Sequence, residues 1–233
     1  MASDVRTLPA RPAPRGSRLG ALWASAVGKK ALMAVTGIAL FAYVVGHLAG
    51  NLQVFTGPEQ LNRYAQLLHV APALLWAVRI VLLAALVVHV VAGVELHLAR
   101  RLARPVPYAS YRPADSSAAS RTMIWSGLLI LAFVVYHVLD LTVGVANPSF
   151  VEGEVYHNVL ATFGRAVGVL AYLVAMVGLG FHLWHGLYSM FQSLGVSNRR
   201  FTPTAQRFAA GMAVILTLGF ASIPIAVFLG VLR

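Results

Sequence analysis

Five of the eight histidines in this chain lie inside long apolar runs: His47, His89, His137, His182 and His185. An imidazole at membrane depth is costly to bury, so it normally has a partner or a task. Counted from the basic end of each run, His47 and His137 lie roughly 25 Å deep at 1.5 Å per residue. His89 and His182 lie roughly 16 Å deep by the same count. The four therefore sort into two depth-matched pairs, each drawn from two different helices. Two neutral imidazoles on facing helices are what bis-histidine ligation of a b-type haem requires, and a level spacing of roughly 9 Å would suit electron hopping between two such groups. The chain has no cysteine, which excludes thiolate-bound clusters and disulfides and leaves histidine to ligate a redox metal. A histidine proton relay or metal-ion path is the competing chemistry. It would want carboxylates at mid-depth, and only Glu95 offers itself, near the basic edge.

Small residues one turn from a ligand would let a macrocycle lie against the helix. His182 has Gly178 and Gly186 at that spacing, His89 has Gly93 and His47 has Gly50, although glycine also serves close helix packing in membranes. His185 is flanked by Phe181 and Ser189 and has no depth-matched mate. It is open to a propionate contact, a partner-subunit contact or simple packing. His69, His97 and His157 fall in loops or at a helix end and read as ordinary interface histidines.

The elements that must carry these residues are membrane helices. Of 233 residues, 59% are apolar and 11% charged, with a mean hydropathy of +0.76. Five segments, about 30–54, 74–99, 122–144, 166–192 and 208–231, approach or exceed the roughly 20 apolar residues that cross a bilayer. The expected fold is an all-α integral membrane protein with five transmembrane helices in a bundle. Continuous rather than alternating apolar runs exclude a β-barrel. Residues 1–28 form a basic arm, with Arg6, Arg11, Arg15 and Arg18 among prolines, followed by a short interfacial helix over Leu19 to Val27. The arm lacks the apolar core of a signal peptide, so no cleavage is expected. Residues 29–233 form the membrane domain, and the stretches between its helices read as loops. Of the 18 Lys and Arg, all but Arg63, Arg79, Arg165 and Arg233 fall on one side. The positive-inside rule then puts the N-terminus in the cytoplasm and the C-terminus outside. The net charge of +11 is thus topological, and nucleic acid is not an expected partner.

Other polar residues fall near the two histidine levels. Arg79 and Arg165 could pair with propionates of an outer haem, since guanidinium binds carboxylate bidentately, or snorkel to headgroups. Lys29, Lys30 and Arg100 could do the same for an inner haem. Asp140, three residues past His137, could cap the outer end or handle protons. Trp23, Trp76 and Tyr108 suit interface anchors.

With these residues in place, the chain resembles the single-chain, five-helix, di-haem cytochrome b subunit of succinate dehydrogenase and fumarate reductase. The resemblance runs from about Lys29 to the C-terminus. It is carried by Gly28-Lys-Lys-Ala-Leu-Met-Ala-Val-Thr-Gly37, Gly46-His-Leu-Ala-Gly-Asn51, Asn62-Arg-Tyr-Ala-Gln-Leu-Leu-His69, and His89 with Gly93. It continues in His137-Val-Leu-Asp-Leu-Thr142, His182-Leu-Trp-His-Gly186 and Phe191-Gln-Ser-Leu-Gly195. The resemblance implies two haem b groups, with His47 and His137 on the outer and His89 and His182 on the inner. It also implies a flavoprotein and an iron–sulfur subunit docked on the cytoplasmic face, and electron exchange with a quinone, menaquinone in many single-chain members, in the bacterial cytoplasmic membrane. A higher oligomer of the whole complex is left open. Asn51, Gln53, Glu59, Gln66 and His69 are outer quinone candidates, and an inner site near Ser25 or Lys29 is the alternative. Some fumarate-reducing members carry a glutamate two residues before the helix-four ligand for proton movement. Gly180 stands there, which favours succinate oxidation. The rival readings are the cytochrome b anchor of another quinone-linked dehydrogenase or a hydrogenase and, from a different class, a His-lined transporter or channel.

Overall fold

The computed structural model describes residues 18–103 and 118–233. The arm residues Arg6, Arg11 and Arg15, the prolines at 105, 107 and 113, and Tyr108 lie outside the described residues. Helices α1 (Arg18–Ala24) and α2 (Ala26–Asn51) come first, and a 3-10 turn (Leu52–Thr56) extends α2. Then come α3 (Pro58–His69), α4 (Pro72–Leu102), α5 (Ala118–Leu141), α6 (Val155–Phe163), α7 (Ala166–Ser193) and α8 (Thr202–Phe228). No strand occurs among the described residues. The helices α2, α4, α5, α7 and α8 are each long and apolar enough to cross a membrane.

Local chemistry explains where the helices begin and end. Ser25 breaks α1 from α2, and its Oγ caps α2 by accepting from the Gly28 N–H at 2.9 Å. The Leu22 carbonyl lies against Gly28 where any side chain would stand, so α1 folds back tightly on α2. The interfacial segment expected over Leu19 to Val27 therefore ends at Ala24. Pro72 opens α4, while Arg100 and Arg101 sit in its last turn, where cations complement the helix dipole. Gly230, at φ 72°, supplies the left-handed residue beyond α8.

Two stretches expected as loops are helical. Pro58 at the first turn and Glu59 beside it start α3, and Leu61 buries one face. Mean polarity conceals such a short amphipathic helix. Helix α6 likewise buries Tyr156, Asn158, Thr162 and Phe163. Asn62 of α3 ties the two together: its Nδ2 donates to Glu154 at 2.9 Å, and its Oδ1 accepts from the Tyr156 N–H at 3.0 Å. We call this the capped end. The opposite, basic end carries Lys29, Lys30, Arg100, Arg101, Arg199, Arg200 and Arg207.

Helix α2 packs on α4, α4 on α5, α5 on α7, and α7 back on α2, while α8 lies outside this ring against α7 and α2. The diagonals of the four-helix ring are therefore α2–α5 and α4–α7. Tight apolar packing is concentrated elsewhere. One cluster joins Leu48, Leu183, Leu187, Ala209, Ala213 and Leu216 of α2, α7 and α8, and another lies under the cap around Val54, Leu61, Phe163 and Tyr172. The α4–α5 seam is open along an apolar groove of about 470 Å³ that includes Val90, Val134 and Val138. The α5–α7 seam has a second groove of about 460 Å³ that includes Ser126 and Gly178.

Candidate functional site: two diagonal histidine pairs

Each ring diagonal carries one histidine pair. His47 on α2 faces His137 on α5 with ring centres 5.7 Å apart and planes at 88°. His89 on α4 faces His182 on α7 at 6.2 Å and 58°. His185, half-buried on α7, joins neither pair and makes no hydrogen bond among the described residues.

The hydrogen bonds of three of these imidazoles fix which nitrogen carries the proton. His89 Nδ1 lies 3.1 Å from the Met33 carbonyl, which can only accept, so Nδ1 is the N–H. It is also 3.3 Å from Thr36 Oγ1, whose own proton goes to the Leu32 carbonyl at 2.8 Å. His182 Nδ1 lies 3.3 Å from Ser126 Oγ, which donates to the Met123 carbonyl at 3.1 Å and so receives from the imidazole. His137 Nδ1 lies 3.1 Å from the Tyr172 hydroxyl, which donates to Asp140 Oδ2 at 3.1 Å. In all three, Nε2 keeps its lone pair. His47 is held by rings instead, stacked on Tyr43 at 5.3 Å and beside Phe220 at 6.0 Å.

This donor set fits haem iron. Two imidazoles on one iron need ring centres roughly 6 Å apart, because each nitrogen sits about 2 Å from the metal. Both pairs have that separation, and three of the four rings present the correct tautomer, fixed by an outer hydrogen bond as metal-bound histidines usually are. The open α4–α5 and α5–α7 seams leave lateral room beside them. No group of three or more His, Asp or Glu gathers into a metal-ion cluster among the described residues.

The glycines that make space for the rings are on the facing helices. A Cβ at Gly37 of α2 would stand 3.3 Å from His89 Cε1, and one at Gly127 of α5 would stand 3.4 Å from His182 Cε1. Of the glycines one turn from a histidine, a side chain at Gly178 would meet Leu129 at 2.6 Å and one at Gly50 the Tyr64 hydroxyl at 2.7 Å. Gly186 faces open space, and the nearest atom to a Cβ at Gly93 would be Met33 Sδ at 3.8 Å.

The remaining candidates are spread out. Arg79 is exposed, its guanidinium 5.1 Å from the Trp76 ring centre. Arg165 Nη2 lies 3.4 Å from Asp140 Oδ1, and its Nε donates to the Ala161 carbonyl at 3.2 Å. Lys29 pairs with Glu95, joining α2 to α4 at the basic end, while Lys30 is exposed. Arg100 Nη2 lies 3.4 Å from His97 Nδ1. Among the quinone candidates, Gln53 accepts from Gln60 at 3.1 Å and His69 Nδ1 donates to the Ala65 carbonyl at 2.8 Å. Glu59 and Gln66 are exposed, and Asn51 is half-buried at the end of α2.

Residue chemistry alone missed Tyr172, Thr162, Ser126, Thr36, Gly37 and Gly127. Hydroxyls and glycines are common in membrane helices, and none of these six is exceptional until the facing helix is known.

The sequence model of the family described as succinate dehydrogenase/fumarate reductase transmembrane subunit matches residues 100–221. No curated protein and no solved structure matches the chain. The matched stretch covers more than half of the chain, including α5, α7 and most of α8, with His137 and His182 in it. Five apolar helices, a histidine pair on each diagonal and this match agree: the chain belongs to the family of succinate dehydrogenase/fumarate reductase transmembrane subunits.

Proposed function

We propose that the chain is the cytochrome b anchor of a succinate:quinone oxidoreductase in a bacterial cytoplasmic membrane. In this reading it holds two b haems, the outer by His47 and His137 and the inner by His89 and His182. It links an iron–sulfur subunit, itself joined to a flavoprotein, to menaquinone. The observation that carries the reading is the pair of diagonal histidine contacts, at 5.7 and 6.2 Å, in a chain of this family. Bound haem would supply one-electron transfer between fixed sites.

The chain's own residues supply position and insulation. The Met33 carbonyl, Ser126 and Tyr172 accept from the Nδ1–H of three imidazoles, which holds those rings and leaves each Nε2 lone pair free. The apolar ring of helices excludes water, and the α3–α6 clasp closes the outer end. Arg199, Arg200, Arg207 and the basic ends of α4 and α5 offer cations to soluble partners on the cytoplasmic side. Gly180 supplies no carboxylate at the position where some fumarate-reducing members carry one for proton movement, and this supports the oxidative direction. It packs instead against α8, where a Cβ would meet Thr217 Oγ1 at 2.6 Å.

The purified complex should show a dithionite-reduced α band near 560 nm, as expected of b haems, and two haems per chain. A flavoprotein and an iron–sulfur protein should co-purify. His182→Ala should halve the haem and leave the outer signal; a haem-free preparation would remove the cytochrome reading altogether.

A further inference from the structure

Three imidazoles donate a hydrogen bond from Nδ1–H, but the chains of hydrogen bonds end differently. From His89 the chain ends on the carbonyls of Met33 and Leu32, and from His182 it runs through Ser126 to the carbonyl of Met123. From His137 it runs through the Tyr172 hydroxyl to the carboxylate of Asp140. Asp140 is fully buried. It is held by three donors: Tyr172, Thr162 Oγ1 at 3.0 Å and Arg165 Nη2 at 3.4 Å.

The arrangement is rigid. The Tyr172 ring sits edge-on between Phe133 at 4.9 Å and Phe163 at 4.7 Å, which fixes where its hydroxyl points. Asn147 Nδ2 donates to Thr162 Oγ1 at 3.3 Å. The Thr162 carbonyl lies against Gly168, where only glycine leaves room. The network thus joins α5, the loop after it, α6 and α7 at one level, directly behind His137.

We infer that Tyr172 and Asp140 are positioning residues for His137. They hold its Nδ1–H tautomer and ring orientation, and they increase electron donation from Nε2, so that the outer haem is harder to reduce than its ring of neutral side chains alone would make it. A hydrogen bond that ends on a carboxylate makes a ligating imidazole more basic, and a more basic axial ligand stabilises the oxidised metal. Among the described residues the inner pair has no such carboxylate behind it, so the network separates the two potentials. The inference rests on the two-haem reading above.

The test is a potentiometric titration of the purified complex, followed at the split α band. Tyr172→Phe keeps the ring between Phe133 and Phe163 and removes only the hydroxyl. It should make the outer haem about three- to tenfold easier to reduce, tenfold being about 59 mV for one electron, while the inner haem does not move. Asp140→Asn, with Tyr172 intact, should shift the outer haem in the same direction. Thr162→Val removes one donor and leaves the carboxylate to accept more strongly from Tyr172, so it should move the outer haem weakly the other way, toward harder reduction. An unmoved outer potential in both Tyr172→Phe and Asp140→Asn would overturn the inference, as would equal shifts of both haems. Loss of the outer haem from both variants would leave a folding role only and also overturn it. A haem-free parent protein is a different result, one that removes the two-haem reading itself.

Discussion

At the level of single residues, a histidine in this chain is defined less by its own neighbours in sequence than by the atom behind its Nδ1. Met33, Ser126 and Tyr172 lie on helices other than the ones they serve, and each leaves Nε2 with its lone pair free. The same holds for space. Gly37 and Gly127 give His89 and His182 their room from across the interface. Gly37→Ala should be tolerated, because a Cβ there meets Cε1 at the limit of contact. Gly37→Val should overlap the His89 ring and abolish the inner haem alone, lowering pyridine haemochrome content by about half. Retention of both haems in the valine variant would show that Gly37 does not set the position of this ring.

At the level of helices, α7 does two jobs that pull its sequence in opposite directions. Its face toward the ring carries Tyr172 and His182, which are polar. Its face toward α8 must come close, and Gly180 against Thr217 is where it does so. Thr217 Oγ1 is 3.4 Å from the Met176 carbonyl and so helps fix that contact. Gly180→Glu should therefore separate α7 from α8 and cost about 1–3 kcal/mol as an overpacked contact, seen as a lower melting temperature in detergent. Adding Thr217→Ala to the same chain should recover much of the loss, because neighbouring substitutions at one contact do not add independently. If the double variant melts no higher than the single one, the contact is not the cause. The clasp of α3 on α6 shows the complementary case. There two short helices are held by one asparagine rather than by apolar area.

At the level of the whole molecule, the charge distribution predicts a cytoplasmic N-terminus, and the absence of cysteine makes the prediction simple to check. In intact cells, a membrane-impermeant maleimide should label Glu152→Cys, near the cap, and should not label Val196→Cys, at the basic end, until the membrane is opened. The reverse pattern would invert the bundle and place the docking surface outside. Much of this architecture was legible in the sequence. Apolar length set the number of membrane-length helices, and depth-counting paired His47 with His137 and His89 with His182, because rise per residue is the same in every helix. Depth is a coordinate along the membrane normal, and sequence reports it well. It says nothing about which helices are neighbours or which way a side chain points. Those facts depend on rotation about each helix axis and on order around the ring, which packing decides. That is why α3 and α6 read as loops, why the contacts of Gly50 with Tyr64 and of Gly178 with Leu129 were not visible, and why Tyr172 and Thr162 drew no notice. The sequence by itself determined that four imidazoles share two levels. The tertiary structure alone decided that they face each other across the diagonals, and that, among the described residues, a buried carboxylate stands behind one of them, His137.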